Sequence, residues 1–182
     1  MELREIENGI RATDGAAKSA GGAVADLRSR AEQCAARAAS LEDQAEEMLR
    51  EAYRAQDPDT ADSCRSRADS LEYQARQYRD MEEDLRAQLE QEYSILRSCR
   101  EAYENYRSEC GRSIQNLRVT AEKLNQAAKS GYGLEKIREA LALIRTKNSM
   151  AVSLQSACES RIQWIDTVAG SDGDPYVRVL RR

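Results

Sequence analysis

The sequence predicts an all-α protein: an elongated antiparallel coiled-coil hairpin with a long central helix, and a third helix packing back to make a three-helix base. The first observation is a heptad repeat, in which apolar residues recur at alternating spacings of three and four from Leu3 to Ala55, interrupted only by Thr13. Such a repeat keeps one narrow stripe of a helix against a partner helix over many turns. The second is the composition, because two Pro, no Phe and 33% charged residues are typical of helical bundles and rods.

Helix one is predicted over about residues 3–55. Four of the chain's nine glycines lie in its first 22 residues, and a glycine costs about 1 kcal/mol in a helix interior. We therefore expect this first segment to fray, or to become ordered on a partner, and the helix to be firm from Ala23 onward. The four glycines are Gly9, Gly15, Gly21 and Gly22.

A short turn at Asp57 and Pro58 precedes helix two, which is predicted over about residues 59–129. Asp57 suits the N-cap of this helix, and Pro58 suits its first turn. A connection as short as this makes the two helices antiparallel neighbours.

Helix two changes its packing pattern midway. A strict heptad places Glu82 in the apolar stripe, whereas an 11-residue step through Leu85, Leu89, Tyr93 and Leu96 keeps the stripe apolar and locally relaxes the supercoil. We expect the packing arrangement to change at this stutter.

A second apolar stripe appears late in helix two, at Ile114, Ala121 and Ala128, as a helix with two neighbours requires. The next break contains Gly131 and Gly133, and Gly131 suits a helix C-cap.

Helix three is predicted over about residues 134–169, and the helical domain over residues 1–170. Residues 171–182 are predicted to be a loop and a C-terminal tail, because Gly, Ser, Asp and Pro cluster at their start.

Several kinds of active site lack their usual residues. The chain has no His, which removes the commonest general base and metal ligand, and it has neither a Cys-x-x-Cys pair nor a glycine-rich phosphate loop. The acidic run Glu82–Asp84 lies between Arg79 and Arg86 at helical spacing, which favours a salt-bridged surface over a cation site. We expect a non-enzymatic protein with no catalytic residues, metal or cofactor.

Charge and cysteine usage bear on partners and compartment. The net charge is −4 with both signs interspersed, so we expect no nucleic-acid binding, and no apolar run is long enough for membrane insertion. The five cysteines all fall on stripe positions. Small buried thiols in a reducing, cytoplasmic compartment are the simplest interpretation, with disulfides or a redox switch as the alternative.

Candidate partner-binding residues lie off the apolar stripes. Trp164 lies beside Ile162 and Ile165. It therefore either packs against the front of helix one, meaning its first 22 residues, or marks a partner surface. Tyr73 is a second candidate of this type. The tail alternates apolar and polar residues and either adds a strand to a partner's sheet edge or is disordered. Its candidate contacts are Tyr176, Val177, Val179 and Leu180.

Two segments fit a loose tyrosine–acid pattern, Tyr53 with Asp57 and Tyr78 with Glu82. With the helical-hairpin organisation, this pattern resembles the WXG and LXG families of bacterial type VII secretion, although the Trp-x-Gly turn motif of those families is absent. The resemblance implies a secreted effector or secretion partner, exported without a Sec signal peptide.

The leading functional hypothesis is a structural or interaction protein, a coiled-coil scaffold or adaptor that presents a two-helix stalk. It would bind a protein partner, or a second copy of itself, through its helical faces.

Overall fold

The computed structural model describes residues 2–130 and 133–170, and these residues form three helices. Helix α1 spans Leu3–Arg54, α2 spans Pro58–Ala128 and α3 spans Leu134–Ala169. The described ranges contain no strand. The all-α prediction, a helical hairpin with a third helix, is therefore confirmed.

The turn between α1 and α2 is closed by Asp57. Its carboxylate accepts hydrogen bonds from the backbone N–H of Thr60 (3.0 Å) and from the Thr60 hydroxyl (2.7 Å). Pro58 is the first residue of α2, where its missing N–H leaves no helical hydrogen bond unmade. The hydrogen bonds from Thr60 hold the pKa of Asp57 below its ordinary value. At the second break, Gly133 precedes α3 with a left-handed φ of 69°, while Gly131 lies outside the described residues.

The chain divides into two compact units, and the division falls within α1 and α2. Unit 2 comprises Gly22–Glu92. Here α1 and α2 run antiparallel, since Glu42 pairs with Arg79 while Glu46 lies with Glu72 around one groove. Alanines recur along both buried stripes, which lets two helices approach closely. They are Ala31, Ala38, Ala45 and Ala52 on α1, and Ala61, Ala68 and Ala75 on α2.

Unit 2 also buries one acid. Glu82 is only 5% exposed, and its carboxylate pairs with Arg79 at 3.2 Å and with Arg86. Arg79 also donates to both oxygens of Glu42, at 2.9 and 3.1 Å. Glu82 thus occupies the stripe position where the strict heptad places it, and its charge is balanced by two arginines from its own helix.

Unit 1 comprises Met1–Gly21 and Tyr93–Arg182, of which residues 2–21, 93–130 and 133–170 are described. The front of α1, the second half of α2 and α3 pack together, with α1 antiparallel to α2 and parallel to α3. Tyr93 and Leu96, the last two residues of the predicted 11-residue step, are buried in this core, and the first two, Leu85 and Leu89, are buried residues of unit 2. The core of unit 1 includes Ile6, Ile10, Tyr103, Cys110, Cys158 and Ile165.

Two glycines in the front of α1 lie where aromatic rings approach its backbone. A Cβ on Gly21 would lie 2.6 Å from Cη2 of Trp164, and a Cβ on Gly9 would lie 2.6 Å from the Tyr106 hydroxyl oxygen. In contrast to the expected fraying, α1 is helical through this segment. Glycine lowers helix propensity here, but it also lets α2 and α3 pack closely against α1.

None of the helices in the described part of the chain combines the length and apolar character needed to cross a membrane.

Candidate interaction site

A polar cluster joins the three helices of unit 1. Asp14 on α1 accepts a hydrogen bond from the Tyr103 hydroxyl on α2, at 2.7 Å. Its two carboxylate oxygens also accept from Nε and Nη2 of Arg161 on α3, the latter at 2.7 Å. The remaining guanidinium nitrogen, Nη1, donates to the Ala157 carbonyl at 3.1 Å. Such a two-point contact fixes the orientation of the arginine as well as its charge.

The cluster shifts the acid–base properties of its members in consistent directions. The hydrogen bonds from Arg161, opposed by partial burial, hold the pKa of Asp14 below its ordinary value. Burial and the adjacent Asp14 carboxylate raise the pKa of Tyr103. At neutral pH the cluster is therefore a carboxylate, a neutral phenol and a guanidinium, each with its partner. We interpret it as a structural lock between the helices; the expectation of a non-enzymatic protein stays a prediction.

Trp164 lies beside this cluster. The sequence offers two interpretations of this residue, packing against helix one or marking a partner surface. Its ring packs on Gly21 in the front of α1, yet the side chain remains 39% exposed. A cavity of about 220 Å³ adjoins it, lined in part by Lys18, Ser160 and Arg161. One edge of the ring thus belongs to the core and the other is available at the surface, so its role in partner binding stays a prediction.

The other sequence-predicted contact residues lie elsewhere. Tyr73 is 64% exposed on α2 and belongs to unit 2. The tail candidates lie outside the described residues; they are Tyr176, Val177, Val179 and Leu180.

The residues of the tyrosine–acid pattern have distinct environments. Tyr53 is 87% exposed and Tyr78 is half-buried. Asp57 caps α2, and Glu82 is held between Arg79 and Arg86. Both acids thus have local structural roles, and a role in export stays a prediction.

All five cysteines are free thiols. Cys34, Cys99, Cys110 and Cys158 are buried, and Cys64 is partly exposed. Burial raises the pKa of Cys99 and Cys110, and raises that of Cys158 to about 11. A raised pKa keeps a thiol protonated and unreactive at neutral pH, which fits small packing residues.

The end of unit 1 at which α2 ends and α3 begins has a feature that the sequence did not predict. The buried core stops at Cys110 on α2 and resumes at Ala151 on α3, and none of the described residues between Gly111 and Met150 is buried. We call residues 111–130 and 133–150 the open end. The apolar stripes continue through it at heptad spacing: Ile114, Leu117, Ala121, Leu124 and Ala128 on α2, and Leu134, Ile137, Leu141 and Ile144 on α3.

Helix α1 reaches only the edge of this open end. Its first residues, Leu3 and Glu7, share a cavity of about 630 Å³ with Leu117 of α2 and Met150 of α3. The two neighbours expected for late α2 are therefore present only up to about Leu117. Beyond it the second stripe lacks a covering helix among the described residues. The apolar positions are visible in the sequence, but the register of α1 against α2 and α3 is not.

The open end is also basic. Residues 111–150 contain eight bases and three acids, a net charge of +5 in a chain whose net charge is −4. Four of the eight bases flank the stripes, whereas the other four bases and all three acids lie on outer positions. The flanking bases are Arg118, Arg138, Arg145 and Lys147, and the acids are Glu122, Glu135 and Glu139.

No protein-family model matches the chain, and neither the curated proteins nor the solved structures contain a match.

Proposed function

We propose that this chain is a non-enzymatic helical interaction protein, a scaffold or adaptor that joins helical proteins through uncovered helix faces. The observation that carries the proposal is the open end, where apolar stripes continue at heptad spacing but no described residue is buried. Eight of the nine stripe residues there are half-buried and Leu134 is exposed, and an apolar patch left open to solvent on a folded protein marks an interaction site.

The chemistry of the remaining molecule supports the same function. In the cluster of Asp14, Tyr103 and Arg161, the polar side-chain atoms are engaged in hydrogen bonds with one another and with the Ala157 carbonyl. Most of the recorded ion pairs join residues three or four apart on one helix, as on a solvated helix face. Free thiols on the stripes support a reducing compartment.

Photocrosslinking in the cells that make the protein tests this proposal. A photoreactive residue replaces Leu134, an exposed member of the α3 stripe, or Leu143, an exposed leucine on the outer side of the same helix. We expect adducts of discrete mass from position 134 and few from position 143. Equal yields at the two positions, or none at position 134, would refute an interaction surface at the open end.

A further inference from the structure

We infer that the open end binds an acidic amphipathic helix of a partner protein, which lies along the stripes where α1 leaves them uncovered. This inference rests on the proposed function and specifies the chemistry of the partner. Two observations support it: α1 lies beside the neighbouring part of the groove, and basic side chains flank the stripes.

The first argument is continuity with a helix interface inside unit 1. As far as about Leu117 the front of α1 lies beside α2 and α3, where Leu3 and Glu7 line one cavity with Leu117 and Met150. That segment has apolar residues at alternating spacings of three and four, Leu3, Ile6 and Ile10, with acids at the flanking positions Glu2 and Glu7. The same two helices continue past it with the same heptad spacing. The groove therefore suits a helix of the type that α1 provides, apolar on one stripe and acidic beside it.

The second argument is charge complementarity. In a coiled coil, residues flanking the stripe face the flanks of the partner helix and select it by charge. At the open end these positions carry Arg138 and Arg145, both exposed, and Lys147, which is exposed and lines the cavity beside the first residues of α1. Within residues 2–130 and 133–170, the structure records no carboxylate paired with these three bases. Arg118, the fourth flanking base, pairs only with exposed Glu122 of its own helix.

The length of the stripes sets the size of the partner segment. From Ile114 to Ala128 the α2 stripe rises by about 21 Å, at 1.5 Å per residue. A helix of about three heptads covers it with about one turn to spare at each end. Apolar burial would supply most of the affinity, and the flanking bases would supply the preference for acids.

The test uses the full chain and a dye-labelled synthetic peptide of about three heptads, with leucine on the stripe and glutamate at the flanking positions. A matched peptide carries lysine in place of glutamate. We expect the acidic peptide to raise the fluorescence anisotropy saturably, and the lysine peptide to bind at least about tenfold more weakly. Added salt should weaken the acidic complex, since the flanking charges are exposed.

Two double variants with equal charge change separate a site from a general field. Arg138→Glu with Arg145→Glu reverses flanking bases, whereas Lys123→Glu with Lys136→Glu reverses outer ones. We expect the first to weaken the acidic peptide by about tenfold and to bind the lysine peptide better than wild type does, and the second to change either peptide by less than about threefold. Circular dichroism checks that both variants keep their helicity.

A second pair of variants tests the apolar contact independently of charge. Leu134→Gln should weaken the acidic peptide, and Leu143→Gln should leave it unchanged. No binding of the acidic peptide, equal binding of both peptides, or equal effects of the paired variants would overturn the inference. Binding to phosphatidylserine-containing vesicles or self-association in place of peptide binding would also overturn it. If position 134 still crosslinks in cells, the proposed function survives and only the acidic-helix assignment fails.

Discussion

Gly21 of α1 lies directly beneath the ring of Trp164 on α3, so closely that a Cβ at this position would lie 2.6 Å from Cη2 of the indole. The next residue, Gly22, has no such neighbour within 4 Å. Two adjacent glycines in one helix thus have opposite roles, since one is required by packing and the other only lowers helix propensity.

The first prediction contrasts these two positions. Gly22→Ala should stabilise the protein by about 0.5–1 kcal/mol, because alanine is the better helix former. Gly21→Ala should destabilise it by about 1–3 kcal/mol, because the ring and helix must separate. Urea denaturation of both variants measures the difference. In a Trp164→Leu background, the penalty at Gly21 should shrink by at least about 1 kcal/mol; an unchanged penalty would show that Trp164 is not its cause.

The second prediction concerns the Asp14 lock. Asp14→Asn should cost about 1–3 kcal/mol at neutral pH, because it leaves the Arg161 guanidinium without its carboxylate. The matched change Asp26→Asn, in an exposed pair with Arg30, should cost only a few tenths of a kcal/mol. Equal costs at the two sites would argue against the lock.

The pH dependence of the same variant follows from the lowered pKa of Asp14. A carboxyl whose pKa is lower in the folded chain contributes stability that is complete above its unfolded pKa, ordinarily 3.8, and is lost as the pH falls through the lower folded value. The stability gap between wild type and Asp14→Asn should therefore be constant at neutral pH and close in acid below 3.8. A gap that persists at those pH values would contradict the pKa assignment.

The third prediction concerns Glu82, an acid on an apolar stripe. Replacing a buried ion pair by an apolar residue often stabilises a protein, since the cost of desolvating the charge disappears. Glu82→Leu should raise the unfolding free energy by about 1 kcal/mol, with Arg79 keeping Glu42 as its partner. Glu83→Leu, on the exposed side of α2, should change it by less than about 0.5 kcal/mol. Denaturant titration checks both, and marked destabilisation by Glu82→Leu would mean that its ion pairs hold the hairpin together.

The fourth prediction uses the thiols. Iodoacetamide at mildly alkaline pH should modify Cys64 first, because it is the only partly exposed cysteine, and Cys158 slowly, because burial raises its pKa to about 11. Peptide mass spectrometry over a time course gives the order. Rapid modification of Cys158 in the folded chain would contradict the packing described here.

Heptad spacing was enough to predict the helices, because an apolar stripe such as Ala31, Ala38 and Ala45 on a long helix packs against another helix. The stutter at Leu85 and Leu89 was readable for the same reason. The Asp14–Arg161 contact was not, since it joins residues far apart in sequence whose types also occur throughout the solvated faces.

The glycines of α1 and the open end show a second limit. Helix propensity alone predicts that Gly21 destabilises α1. The ring that packs on Gly21 belongs to Trp164 of α3, which is far from it in sequence, so the sequence did not reveal this contact. The stripe at Ile114 and Ala121 predicted a second neighbour along all of late α2 for a similar reason: periodicity identifies an apolar face but not the extent of the helix that covers it.

Amide hydrogen exchange of the full chain, with and without the acidic peptide, tests the open end most directly. In the free chain, amides of residues 111–130 and 133–150 should exchange faster than those of 93–110 and 151–169, because fewer apolar contacts hold the open end together. Added acidic peptide should slow exchange in the open end and leave the rest of the chain unchanged. Equal protection of both regions in the free chain, or peptide protection confined to other residues, would contradict an uncovered helical groove at this end of the molecule.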